Sequence, residues 1–173
     1  NGIGYCSSDR KLDGIFADLP VSINLVSPSM PQVAPKGLVS RKRIKDMTAS
    51  ISKMMAIDPK RAEYKVGALS GGNQQKVALG KWLGISPRIL LVSEPTRGVD
   101  VGARAEIYGH LRHLANQGMA IVFSSSDIDE VQGLADTVVS MYRGKQVRTV
   151  KATDVTNQDL VRDITHPDDE FLQ

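Results

Sequence analysis

The sequence predicts an α/β fold, a mostly parallel sheet interrupted by a helical insertion. "RILLVSEP" (88–95) and "MAIVFSSS" (119–126) are apolar runs of strand length, bounded by turn-forming residues. Apolar residues recur at helical spacing over 41–55, 74–82 and 103–116. Strand and helix alternate, with the helices grouped in one interrupted region, as in a sheet with an inserted helical segment.

Taken in order, "IGYC" has the content of a short strand, followed by a polar turn over 7–11. Three prolines and a glycine in "SPSMPQVAPKG" (27–37) exclude continuous helix there. From Arg41, the residues Ile44, Met47, Ile51, Met54 and Met55 mark one face of an amphipathic helix. A second helix is expected over 74–82, packing through Val77, Ala78 and Trp82. The run from Ile89 to Val92, set between Pro87 and Pro95, reads as a strand buried on both faces. A helix over 103–116 packs through Ile107, Leu111 and Leu114, and 119–126 is another buried strand. "DIDEVQGLAD" opens a helix with acidic residues in its first turn. "TVVSMYRGKQVRTV" reads as a hairpin turning at Arg143-Gly144, and a short helix over 158–164 precedes a polar tail.

Composition narrows the function classes. The 173 residues suit a single domain, and 41% hydrophobic with 24% charged residues is a globular balance. A net charge of +3, with basic runs such as Arg41-Lys42-Arg43 read as a solvated helix face, gives no nucleic-acid footprint. Aromatics at 5% and none interleaved with basic residues argue against single-strand binding. The single cysteine, Cys6, excludes an internal disulfide, suits a reducing cytosol and reads as a packed, inert thiol. No apolar run approaches the roughly 20 residues needed to span a bilayer. The opening Asn1-Gly2-Ile3-Gly4 reads as the interior of a longer protein. His110 and His113 lie one turn apart without an evident third ligand, so exposed residues are expected.

Two motifs carry chemistry. Ser93-Glu94-Pro95 ends an apolar strand, where open α/β sheets bind ligands, and a carboxylate there can polarise a water beside a phosphate. Its structural alternative is a cap or a pair with Arg97. Leu69-Ser70-Gly71-Gly72 precedes a helix, and backbone amides at a helix start attract anions. Its alternative is a serine N-cap.

Together, "LSGGNQQKVALGKWLGISPRILLVSEPTRGVD" resembles the signature motif plus Walker B segment of ATP-binding cassette ATPases. "LSGGNQQK" followed by "EPTRGVDVGA" is similar to the C-terminal cassette of the tandem ATP-binding subunits of monosaccharide importers. "SSDRKLDG" resembles the "EDRK..G" segment of this branch, and "SSSDIDEVQGLAD" its switch segment. The resemblance covers nearly the whole chain in order. It implies a single partial ATP-binding domain (1–173) with the ABC-ATPase nucleotide-binding-domain fold, a partial P-loop NTPase core and an α-helical subdomain. Segment 1–27 would be Q-loop-like, 38–84 the helical subdomain and signature, 85–151 the Walker B and switch core, and 152–173 a C-terminal helix and tail.

The Walker A pattern G-x-x-x-x-G-K-[ST] is absent: Gly80-Lys81 and Gly144-Lys145 lack the earlier glycine and the following hydroxyl residue. In the family two cassettes sandwich two ATP molecules head to tail, so the resemblance implies that Leu69, Ser70, Gly71, Gly72, Asn73 and Gln74 cap a nucleotide seated on another cassette. It implies that Glu94 is the catalytic base and that ATP and Mg2+ are the cofactors. Asp100 falls in the loop that crosses the dimer interface. Thr96 and Arg97 are read as structural, and Lys76 equally as part of the signature helix that Gln74 and Gln75 extend or as a solvent-facing charge. Three positions depart from the pattern. Ser93 stands where the Walker B aspartate supports magnesium, which should weaken the metal, with no direct metal ligand assigned. Ser8 stands at the Q-loop position and Ser126 at the switch position.

The implied function is part of the ATP-binding subunit of a carbohydrate ABC importer, coupling ATP hydrolysis to uptake. Implied partners are a second cassette (the N-terminal half or another copy), transmembrane permease subunits and, indirectly, a periplasmic solute-binding protein. The implied location is peripheral, at the cytoplasmic face of the bacterial inner membrane. The isolated chain is expected to be inactive. Two alternatives stay open: a degenerate cassette that only caps its partner's ATP and transmits motion, and a soluble non-transport ABC protein.

Overall fold

The computed structural model describes residues 2–166, and the chain divides into two compact units after Ser124. In the first unit, three parallel strands form one sheet in the order β1 (Ile3–Cys6), β2 (Ile89–Ser93), β3 (Ala120–Ser124). The register sets Leu90 between Gly4 and Ile121, and Leu91 between Tyr5 and Val122. Parallel strands need long crossovers, and the one from β1 to β2 contains the expected helical insertion.

The apolar runs form strands as expected, but their burial differs from the expectation. Leu90 and Val92 of β2 are sealed, whereas Ile89 and Leu91 are half-buried, and Ala120, Val122 and Ser124 of β3 are exposed. On that open face Tyr5 and Val122 flank Leu91 at 54% and 60% exposure. An apolar run reports tolerance for two covered faces; it does not say which residues cover them. The closed face is covered by a helix running past Trp82: a Cβ on Gly4 would stand 3.0 Å from Trp82 Cβ.

Four helices make the insertion: α1 (Val21–Val26), α2 (Met30–Val33), α3 (Arg41–Met54) and α4 (Gly71–Leu83). Nothing in the sequence pattern marks α1, which is under two turns long yet buries Val21, Leu25 and Val26 completely. Segment 27–37 is broken, as its prolines require, into single turns at Ser27–Ser29, Met30–Val33 and Pro35–Gly37. Along α3, Ile51 and the following Met55 are buried and Ile44 and Met47 half-buried. Met54, expected in the apolar stripe, is exposed, because neighbouring helix positions point about 100° apart and Met55 takes the inward one. Arg41, Lys42 and Arg43 are exposed.

Helix α4 begins at Gly71, three residues before the expected start, and buries almost every later position. A Cβ on Gly80 would lie 3.1 Å from Ile51 and Met55 and 3.2 Å from Leu25, so this glycine sets the close crossing of α4 with α1 and α3. Helix α5 (Val101–Asn116) buries Ile107, Leu111 and Leu114, as its spacing predicts. The polar turn expected over 7–11 is a bend at Ser8 followed by a π-helical turn, Arg10–Gly14, which Asp9 opens by accepting from the N–H groups of Lys11 and Leu12.

The second unit holds α6 (Ile128–Leu134), the hairpin β4 (Thr137–Tyr142) and β5 (Lys145–Lys151), and α7 (Asn157–Thr165). The hairpin turns at Arg143 and Gly144, with φ 49° and 81°, the left-handed pair that a tight two-residue turn requires. Val138, Val155 and Leu160 form its core. A reciprocal Thr156–Asp159 capping box starts α7. The polar tail expected after this helix lies outside the described residues from 167 onward. Among the described residues, no helix is long and apolar enough to cross a membrane.

Candidate functional site

Strand β2 ends at Ser93, and Glu94 follows in a left-handed conformation with φ 51°. Non-glycine residues in that region cost on the order of 1 kcal/mol or more and concentrate at functional sites. The conformation is held by the Glu94 N–H donating to the Ser124 carbonyl at 2.8 Å, and by the Arg97 N–H donating to the Glu94 carbonyl at 3.2 Å. Pro95 and Thr96 are buried beneath the turn. Asp100 closes it as the N-cap of α5, accepting from the Ala103 N–H at 3.0 Å. Ser93 Oγ accepts from Ser124 Oγ at 3.3 Å, so two neutral hydroxyls stand together at adjacent strand ends.

At the start of α4, Leu69 is buried and Ser70 exposed. The serine-cap alternative is not realised. Ser70 makes no side-chain cap bond; its Oγ accepts from Asn73 Nδ2 at 2.9 Å. The first amides of α4 are therefore not spent on a side-chain cap, which leaves the donor chemistry of an anion-binding helix start. Buried Gln74 donates through Nε2 to the Leu69 carbonyl at 3.0 Å and steadies the tip from behind.

The two motif segments meet. A Cβ on Gly71 would stand 2.8 Å from the Gly98 carbonyl oxygen, and one on Gly72 would stand 2.5 Å from Ala103 Cβ. The close approach that these glycines permit in the structure is thus between the tip and the segment after Glu94. Ser8, half-buried, lies at the bend following β1. Ser126 lies in the second unit, exposed, just ahead of Asp127, which caps α6 by accepting from the Asp129 and Glu130 N–H groups.

Of the two readings of Lys76, the solvent-facing one is not realised. Lys76 is 6% exposed and forms an ion pair with Glu106 on α5. Helix α4 has neighbours on most sides, so its lysine reaches outward along a neighbour to find charge. His110 on α5 is half-buried, against the expected exposure, and burial together with the Lys76 charge holds its pKa below the ordinary value. His113 is exposed. Cys6 is the packed thiol that was expected: burial pushes its pKa up to about 11.

Arg10 is the residue that sequence reasoning missed. Its guanidinium donates to the carbonyls of Arg97 at 2.7 Å and Gly98 at 3.0 Å, and to the side-chain oxygens of Gln75 at 3.4 Å and Gln74 at 3.5 Å. No sequence signal could have found the two carbonyls, because backbone acceptors carry no residue identity.

The chain is 38% identical over 161 residues to "Ribose import ATP-binding protein RbsA" of Lactococcus lactis subsp. cremoris (strain SK11), covering 93% of this chain and 33% of that protein. It is 40% identical over 161 residues to the protein of that name from Geobacillus kaustophilus (strain HTA426), covering 93% and 32%, and 36% identical over 157 residues to that of Bacillus subtilis (strain 168), covering 91% and 32%. The chain therefore spans about one third of the length of the curated relatives it matches. Neither alternative left open by the sequence is favoured by these relatives. No protein-family model matches. Among solved structures, the ATP-binding cassette MJ0796, in a dimeric post-hydrolysis state bound to ADP and Pi, superposes with a TM-score of 0.74 at 24% identity, covering 88% of this chain and 63% of that one. The cbiO1 protein of Clostridium perfringens, part of the ABC transporter complex cbiONQ, superposes with a TM-score of 0.76 at 23% identity, covering 92% and 61%. These likenesses show that the fold is that of an ATP-binding cassette.

Proposed function

We infer that the chain belongs to the sugar-importing branch of the ATP-binding cassette family, as a segment of an ATP-binding subunit that couples ATP hydrolysis to carbohydrate uptake. The observation that carries this reading is the start of α4: Ser70 is not used as a cap, and two glycines hold the tip against the segment after Glu94. The tip caps a triphosphate whose main cradle belongs to another cassette. The dimeric, ADP- and Pi-bound state of the similar cassette MJ0796 supports that arrangement.

The residues fit a phosphate group. The α4 amides and the Ser70 hydroxyl are donors suited to an anion, with Leu69, Asn73 and Gln74 shaping the tip around them. ATP supplies the phosphoanhydride that is cleaved. Glu94 is the base that orients and polarises water in its own site, held by the strained turn at the end of β2. Ser93 offers a neutral hydroxyl where the branch uses a carboxylate, so it supports Mg2+ weakly and slows the site on that side. Asp100 belongs to the loop that faces the second cassette. Ser8 and Ser126 replace the longer polar residues that sense the γ-phosphate in other cassettes. The permease and, indirectly, a solute-binding protein complete the assembly at the cytoplasmic face of the membrane.

Replacing exposed Ser70 by Glu tests this in a full-length subunit reconstituted with its permease. A carboxylate at the tip opposes the phosphate charge, and loss of one such donor site lowers turnover by on the order of 100-fold. ATP hydrolysis and sugar uptake at wild-type rates in Ser70→Glu would refute the capping role.

A further inference from the structure

Arg10 sits at the start of the π-helical turn Arg10–Gly14, whose shape is fixed by Asp9 and by Ser7, which accepts from the Asp9 N–H and donates to Asp13. From that anchored position one guanidinium reaches two other segments. It donates to the carbonyls of Arg97 and Gly98, three and four residues past Glu94, and to the side-chain oxygens of Gln74 and Gln75 in the first turns of α4. Gln74 passes the restraint onward, because its amide nitrogen holds the Leu69 carbonyl directly behind Ser70. The place where Gly71 meets the Gly98 carbonyl lies under the same guanidinium: a Cβ on Gly71 would come within 3.1 Å of Arg10 Nη2.

All four acceptors are neutral. A half-buried cation without a carboxylate among these contacts is held by the number and direction of its hydrogen bonds. A planar fork can serve two adjacent carbonyls and two amide oxygens at once, which a lysine ammonium cannot.

We propose that Arg10 is a positioning residue for the capping tip. It fixes the spacing between the tip at 70–72 and the loop at 94–100, and it ties both to the segment that follows β1. This rests on the reading that the tip caps a nucleotide held by another cassette. Arg10 acts through Gln74, Gln75 and the loop carbonyls, so its loss misplaces the tip in the closed state while leaving the seat of ATP on the other cassette intact.

The test uses the full-length subunit with its permease in vesicles, comparing Arg10→Met, Arg10→Lys and Gln75→Leu by ATPase kinetics and thermal midpoint. The expected result is a kcat lower by roughly tenfold in Arg10→Met, the upper part of what coupling residues deliver, with KM for ATP changed less than about twofold. Arg10→Lys recovers part of the rate, and Gln75→Leu, which removes one acceptor, shows a smaller loss of the same kind. If Arg10→Met does not fold, Arg10→Lys and Gln75→Leu give the reading. Wild-type kcat in these variants, or a rise in KM that matches the loss of rate, overturns the positioning role. A wild-type subunit that hydrolyses ATP normally and whose Ser70→Glu variant does too would instead sink the capping reading beneath it.

Discussion

At the scale of single residues, the decisive departure is Ser93. On the proposed reading a hydroxyl stands where the branch uses a carboxylate, and in the structure it shares a hydrogen bond with another neutral hydroxyl, Ser124. Outer-shell partners of a metal typically change its affinity 10- to 100-fold. Ser93→Asp in the full-length subunit is therefore expected to raise magnesium affinity by about tenfold and to increase the ATPase rate; titration of activity with Mg2+ checks this, and an unchanged curve rejects the weakened site. The motif wording was legible, since Ser70, Gly71, Gly72 and Glu94 stand at spaced positions in the sequence, and the structure brings the tip against the segment after Glu94. Lys76 and Arg10 were not legible. The partner of Lys76 is Glu106, thirty positions away on α5, and the best contacts of Arg10 are backbone carbonyls.

At the scale of elements, helices with a long apolar period emerged where their spacing put them, as α3 and α5 show. The short α1 did not, because six residues give too little period to read and its burial comes from tertiary packing. Strand burial failed for a different reason: composition says that β3 could be covered, and the covering layer is not written in the strand. Two predictions belong here. His110 on α5 has a lowered pKa, so the unfolded chain binds its proton more readily than the folded one. Its contribution to stability is complete above about pH 6.5 and is lost as the pH falls through the lower folded value. Between pH 7.5 and 5.5 the thermal midpoint should drop further in the wild type than in His110→Gln; equal drops would count against it. In the second unit, buried Asp163 accepts from Ser140 at 2.7 Å and from Arg148 at 3.0 Å, tying α7 to the hairpin. Asp163→Ala removes the acceptor of both bonds and should cost about 2 kcal/mol, read as a lower denaturant midpoint for that unit.

At the scale of the whole molecule, one arrangement accounts for the sequence and the structure together. The start of α4 is braced by Gln74 and Arg10, and on the proposed reading its charge complement is a nucleotide seated on another cassette. Glu94 follows the end of β2, and the segment after it, at Arg97, Gly98 and Ala103, is held against the tip by glycines and by Arg10. In a head-to-tail pair each cassette would lend its tip to the nucleotide of the other. Binding energy is then released only when both close on ATP, which is the differential affinity that drives a conformational cycle. The most direct measurement is photocleavage by orthovanadate trapped with ADP in the assembled full-length transporter, because light-activated vanadate cuts the backbone beside the γ-phosphate position. The account predicts a cut within residues 69–74 of this segment, lost when the nucleotide seat of the other cassette is disabled. Trapped vanadate that cuts elsewhere and leaves 69–74 intact would contradict it.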